Sequence, residues 1–206
     1  VIVSLIAFDR YETKGEELKV AVIQPNVDPY KEKFSGLSHF QQMDIIMNLA
    51  DSIADGDLDY IAAPETAVDH ISLNKLDEEY MVQSIRKFVK DYEGLHFIIG
   101  IDATKKYKAG AEEVPPTATK MTNSNRYYDI FNSAIQIDST ARIPVYHKSK
   151  LVTGVEKMPY PRFLKFLNNF ILNIGGTTGN RGFQEERGVF YSLDSSFRVA
   201  PVICYE

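Results

Sequence analysis

One cysteine in 206 residues, Cys204, leaves no partner for an internal disulfide. That count fits a reducing cytosol or an envelope domain that keeps its thiol free, and does not choose between them. Histidine is scarce too. His39, His70, His96 and His147 are scattered, form no cluster at metal-ligand spacing, and point to neither a metal nor another cofactor. Positive charge is in deficit, with 23 Lys and Arg against 28 Asp and Glu, a net charge of −5 and a pI near 5.5. Phosphate binding needs a basic face, so nucleic acid is not an expected partner. The opening apolar run, residues 1–8, is far short of the roughly 20 residues a spanning helix requires, and it lacks the positive start and small-residue cleavage site of a signal peptide. The glycine-rich stretch 175–182 has no strand before it and no Gly-Lys-Ser/Thr after it, which argues against a phosphate-cradling loop and for a flexible connector.

What is present describes one large globular domain: 44% hydrophobic residues and 25% charged, with a mean hydropathy of −0.22. Residues 10–17 are charged and read as linker. Residues 18–24 have the β-branched density of a strand, ended by Pro25. Over 37–54 the residues Phe40, Met43, Ile46, Met47, Ala50 and Ile53 recur at three and four, the spacing of an amphipathic helix, which Asp55-Gly56-Asp57 stops. A second strand is expected over 58–63, a second helix over 76–92 from Met81, Ile85, Phe88 and Val89, and a third strand over 95–101, closed by Asp102. Alternation of this size implies an α/β fold with largely parallel neighbours and helices on the sheet faces. Residues 105–125 are polar, contain Pro115-Pro116 and have no period, which reads as a long mobile loop near the site. Strands follow at 126–137, 143–146 and 188–193. Residues 160–173 carry Phe163, Leu164, Phe166, Leu167, Phe170, Ile171 and Leu172; they read either as a helix buried against the domain or as an exposed apolar arm for lipid.

Three apolar runs end in reactive groups. Pro64-Glu65-Thr66-Ala67 supplies a carboxylate, Tyr146-His147-Lys148-Ser149-Lys150 an ammonium, and Pro201-Val202-Ile203-Cys204-Tyr205-Glu206 a thiol. On residue type alone, Cys204 is a small buried hydrophobe and Glu65 a solvated turn carboxylate. Taken together they change meaning, because a thiolate nucleophile needs a base and a nearby cation, and Glu plus Lys provide both without histidine. An α/β sheet exposes such groups at the carboxyl ends of its strands.

With Val22-Ile23-Gln24-Pro25-Asn26 and Gly154-Val155-Glu156-Lys157-Met158-Pro159-Tyr160 added, these segments closely resemble the nitrilase (carbon-nitrogen hydrolase) superfamily. The resemblance is closer still to its apolipoprotein N-acyltransferase branch, in particular that of Bacteroides-like bacteria, and it covers the chain from about residue 18 to its end. It implies a four-layer α-β-β-α sandwich, truncated here on its C-terminal side, with 18–206 as the catalytic domain and 1–17 as linker or the stub of a transmembrane helix. Glu65, Lys148 and Cys204 take the catalytic positions; Lys148 rather than Lys150 fits the Tyr-x-Lys-x-x-Leu motif, and Glu156, Tyr205 and Glu206 are supporting or oxyanion residues. Thr153 departs from the proline common in the family. The implied activity moves an acyl chain from a phospholipid, through a Cys204 thioester, to the α-amine of a lipid-modified apolipoprotein. The implied setting is the bacterial inner membrane, with the catalytic domain facing the periplasm and no cofactor. The alternative is a soluble amidase or carbamoylase of the same superfamily acting on a small C–N substrate; a non-enzymatic binding module, with Cys204 as core, is a third reading.

Overall fold

The structure, a computed structural model, describes residues 2–12, 15–27, 36–108, 110, 114–153, 155–157 and 181–206. Its α/β architecture is that expected from the alternation of elements. The first three apolar runs give β1 (Val20–Val22), β2 (Tyr60–Ala62) and β4 (His96–Tyr107), and β3 (Val68–Ser72) lies between the last two. Then come β5 (Thr119–Lys120), β6 (Tyr127–Ile137) and β7 (Val145–His147). These seven form one sheet in the order β1-β2-β4-β6-β5, with β3 also paired to β4 and β7 to β6.

Only half of the sheet is parallel. β1 with β2, and β2 and β3 with β4, run parallel, but β6 returns antiparallel to β4 from Phe97↔Ile137 to Tyr107↔Tyr127. The reason lies in 105–125. Rather than one long loop, its first residues extend β4 through Lys105, Lys106 and Tyr107, and Thr119–Lys120 pairs back onto β6. Antiparallel return needs no crossover helix. Cross-strand neighbours hold the polar end: Tyr127 and Tyr128 lie opposite Tyr107 and Lys106, and the Tyr107 hydroxyl donates to Asp129 Oδ2 at 2.8 Å.

Helix α2 (His39–Ile53) starts at a capping box, in which Gln41 N–H donates to Ser38 Oγ and Ser38 N–H to Gln41 Oε1. It buries Gln42, Met43, Ile46 and Ala50. The helix expected over 76–92 is divided: a 3₁₀ segment, Leu73–Glu78, precedes α3 (Tyr80–Val89), with Glu79 in extended conformation between them and its carboxylate accepting from Ser72 N–H. The amphipathic face survives, since Met81, Val82, Ile85, Phe88 and Val89 are buried. α1 (Ile2–Asp9) is a helix with every residue exposed. Among the described residues no helix is long and apolar enough to cross a membrane.

Strand alternation divides the interior. Phe97, Ile99, Ile101 and Ala103 of β4, with Ile135 and Ile137 of β6, pack beneath α2 and α3. Ile98 and Ala134 face the other way and meet Tyr146, Phe190 and Ile203 in a smaller cluster. Over that second face lies the hairpin β8 (Phe190–Tyr191) and β9 (Arg198–Val199). Gln136 Nε2 donates to Tyr191 O at 2.8 Å, and Leu193 N–H to His96 Nε2 at 3.1 Å, which fastens the hairpin to the sheet. Helices, large sheet and small sheet make three layers in the order α-β-β among the described residues. The apolar stretch 160–173 and residues 175–180 lie outside them. The last strand is shorter than its apolar content suggests: β9 ends at Val199, and 200–206 leave the ladder, Pro201 having no N–H to give it.

Candidate active site

β2 and β3 lie end to end along one edge of β4, and Glu65 occupies the gap between them. Ala63 N–H donates to Ile98 O and Ala67 N–H to Gly100 O, each at 2.8 Å, while Gly100 N–H donates to Pro64 O at 3.2 Å. Thr66, at φ 46°, turns the chain between those anchors. The approach is close enough that a Cβ on Gly100 would stand 2.6 Å from Glu65 Cα and from Pro64 O. A glycine within a strand is therefore what lets Glu65 rise over the sheet.

Lys148 arrives from the far edge. Its backbone N–H donates to Asn132 O at 2.9 Å as β7 leaves β6. Its side chain is 1% exposed and its Nζ stands 3.6 Å from Glu65 Oε1 and 3.0 Å from Glu156 Oε2. Lys150, two residues on, is exposed. A buried ammonium is tolerable only when charge-paired and hydrogen-bonded, as here. Asn132, on β6, joins the acids by donating from Nδ2 to Glu65 Oε1 at 2.6 Å and to Glu156 Oε1 at 3.2 Å.

The two carboxylates differ. Glu156 lies in a tight turn in which its own N–H donates to Val152 O and its Oε2 accepts from Val152 N–H. Thr153, which stands where the related motif has proline, sits inside that turn and bridges to Lys157. Burial alone would raise the carboxyl pKa of Glu156, but the bonds from Val152 N–H, Lys148 and Asn132 outweigh it and hold the group below its ordinary value. Glu156 is 10% exposed and Glu65 41%, so Glu65 is the acid that meets solvent. A mostly apolar cleft of about 170 Å³ opens beside Glu65, walled by residues 24–27, Gln42 and Ile46.

Cys204 occupies a turn rather than a strand end, exposed and at φ 57°. Ile203 before it is buried against Ala134, Tyr146 and Phe190. Glu206 after it is the fastening: Oε1 accepts from Tyr146 Oη, Ser149 N–H and Ser149 Oγ, each at 2.6 Å, and Oε2 from Ile203 N–H at 3.1 Å. Burial raises the Glu206 pKa, and those donors more than reverse the effect, so its carboxyl lies below the ordinary value. For Tyr146 burial and the Glu206 charge act together, and its hydroxyl pKa is raised. The turn bearing the thiol is thus tied to the residue that follows Lys148. Among the described residues no hydrogen bond or ion pair joins Cys204 itself to Glu65 or Lys148. Tyr205 is exposed, and its N–H makes no hydrogen bond among them.

The structure brings Glu65, Lys148 and Glu156 into one cluster and leaves Glu206, expected as a supporting or oxyanion residue, as the anchor of the Cys204 turn. Gly100 and Asn132 escaped the sequence motifs, and Tyr146 and Ser149 lay in the lysine motif with no role given to them. Gly100 left a legible trace, an isolated glycine inside Phe97-Ile98-Ile99-Gly100-Ile101. Asn132 left none, since a polar residue in an alternating strand ordinarily points to water.

No family model matches the chain. It is similar to the apolipoprotein N-acyltransferase of Chlorobaculum tepidum, at 25% identity over 204 residues, covering 95% of this chain and 36% of that protein. The chain therefore spans 36% of the length of this curated relative. Among solved structures it is similar to XC1258 of Xanthomonas campestris, a CN-hydrolase superfamily protein with an arsenic adduct in the active site. The TM-score is 0.46 at 16% identity, covering 82% of this chain and 48% of that one. The motif resemblance and the curated relative agree over nearly the whole chain.

Proposed function

We propose that this site transfers an acyl group, the activity by which the Chlorobaculum tepidum relative is named, and that the transfer runs through a covalent thioester on Cys204. The observation that carries the reading is the buried Lys148 ammonium held by Glu65 and Glu156, with the Cys204 turn fastened to the adjacent Ser149.

Glu65, the more exposed acid, takes the thiol proton from Cys204, and the thiolate attacks the ester carbonyl of a phospholipid. The Lys148 ammonium and the free Tyr205 N–H face the developing oxyanion. Collapse breaks the C–O bond; the leaving alkoxide takes the proton from Glu65 and departs as a lysophospholipid, leaving the thioester. The α-amine of the lipid-modified N-terminal cysteine of an apolipoprotein then attacks that carbonyl. Its C–N bond forms as the C–S bond breaks, Glu65 accepts the amine proton, and the thiolate recovers it. Glu156 holds Lys148, and Glu206 holds the turn. The site acts at the bacterial inner membrane, facing the periplasm, where both lipid substrates are found.

The test uses the natural full-length protein with phospholipid donor and a diacylglyceryl-cysteine peptide. Intact-mass spectrometry of wild type without acceptor should show one acyl adduct, absent from Cys204→Ala and from Glu65→Gln. Full turnover by Cys204→Ala would falsify the scheme. Consumption of the thioester by water in preference to amine would reassign the site to hydrolysis.

A further inference from the structure

Arg181 lies against the site, and no motif or mechanism above uses it. Its Nη2 lies 2.8 Å from Asp102 Oδ2 on β4, with both side chains mostly buried, and its backbone N–H donates to Glu156 O at 3.0 Å. The next residue fixes the register: Gly182 N–H donates to Ile130 O at 2.9 Å, and Gly182 bridges Phe131 on β6. A Cβ on Gly182 would lie 2.2 Å from the Phe131 ring. Gly182 thus faces Phe131, and alternation sends the Arg181 side chain to the opposite side, where Asp102 stands.

Asp102 is the cross-strand partner of Asn132. Residues so paired have neighbouring side chains on one face, and Asn132 donates to both Glu65 and Glu156. A continuous polar floor therefore runs from Arg181 through Asp102 and Asn132 to the two acids and Lys148. Its carboxylates are Asp102, Glu65 and Glu156, its cations Arg181 and Lys148, and Asn132 is the amide between them. Without Arg181 three carboxylates would share one buried ammonium.

We propose that Arg181 is a positioning residue for the reaction assigned above, on which this inference rests. Its ion pair with Asp102 and its bond to Glu156 hold the 152–157 turn on the sheet and neutralise the carboxylate that stands opposite Asn132 in the strand pairing. Glu156 thereby stays on Lys148 and the Asn132 amide stays on Glu65.

Steady-state acyl transfer by the natural full-length protein tests this. Arg181→Met should lower kcat about tenfold with KM little changed, and move the acid limb of kcat/KM to higher pH, because a bare Asp102 favours protonation of the acids beside it. Arg181→Lys should recover part of the loss, since lysine keeps the charge but not the fork. Reversing the pair, Arg181→Asp with Asp102→Arg, should recover more activity than either single change retains. Wild-type kcat and pH profile in Arg181→Met overturn the proposal, as does a loss that neither Arg181→Lys nor the reversed pair relieves. Should Arg181→Met fail to fold, Arg181→Lys and the reversed pair decide the question by the same criteria. Cys204→Ala run alongside separates the two claims: if it is inactive while the Arg181 variants behave as wild type, only the positioning role fails, and if it retains full turnover, the reaction assignment fails.

Discussion

The two faces of the central sheet are made by alternate residues of the same strands, yet they do opposite work. Toward the helices, Phe97, Ile99, Ile101, Ile135 and Ile137 are sealed from water in one hydrophobic cluster. Toward the hairpin, Asn132 and Lys148 are buried among carboxylates, while Tyr191 and Leu193 of the hairpin segment stay exposed. A single shift of register would exchange the two sets. The helix face therefore holds the frame from which the polar face is displayed, and stability and chemistry should be separable by mutation.

The largest effect is expected on the polar face. Lys148→Met leaves Glu65 and Glu156 together without their cation, and acyl transfer should fall about a thousandfold, the scale of losing one preorganised electrostatic partner. A drop in unfolding free energy of about 3 kcal/mol should accompany it, as when one partner of a buried pair is removed. Retention of activity would erase the distinction between the faces. Next, Phe97→Ala on the helix face should cost about 3–5 kcal/mol in urea denaturation while the activity of the folded fraction is unchanged; a fall in kcat matching that of Lys148→Met would show the faces to be coupled.

His147 sharpens the contrast because it stands on the helix-facing side of β6, stacked on Phe131 with ring centroids 4.2 Å apart. Burial first, and the Lys105 charge second, lower its pKa from 6.5 to about 4. The unfolded chain therefore binds the proton first. Its contribution is fully present above about pH 6.5 and is lost as the pH falls toward 4, amounting to at most about 3 kcal/mol. Urea midpoints at pH 7.5 and 4.5 should converge in His147→Gln relative to wild type; an unchanged gap would assign the acid loss elsewhere. Gly100→Ala links the faces, since its Cβ meets Pro64 O and Glu65 Cα. A displacement of about 1 Å can cost about a hundredfold in rate, and that loss is expected together with clear destabilisation, because each of the nearest atoms the Cβ would meet is backbone. The smallest effect belongs to Ser149→Ala, which removes one of the four donors to Glu206. It should cost about 1 kcal/mol and accelerate iodoacetamide labelling of Cys204 by loosening its turn.

The helix face was legible because its signal is repetitive. Met43, Ile46 and Ala50, or Met81, Ile85 and Val89, declare a buried stripe by spacing alone. The reacting groups were legible in a different way, as short motifs whose residue types make chemical sense in one order. What escaped was long-range and polar. Nothing local distinguishes Asn132 from a surface asparagine, or Asp102 from the end of a strand, because their meaning is set by residues brought in from other elements. The antiparallel return of β6 was hidden for a related reason: Lys105 and Lys106 read as loop, and only Asp129 and Tyr128 opposite them make strand of that stretch. Cys204 showed the converse error, in which apolar composition suggested a continuing strand that Pro201 interrupts.

The splice between β2 and β3 has a bearing on motion. Two short strands share one edge of β4, and Glu65 is held in the gap by the amides of Ala63, Ala67 and Gly100. Those three amides cannot open independently, because each closes one side of the same discontinuity. In hydrogen exchange they form one cooperative unit, so deuterium uptake at Ala67, a residue with no chemistry of its own, becomes a clock for how often the acid leaves its place.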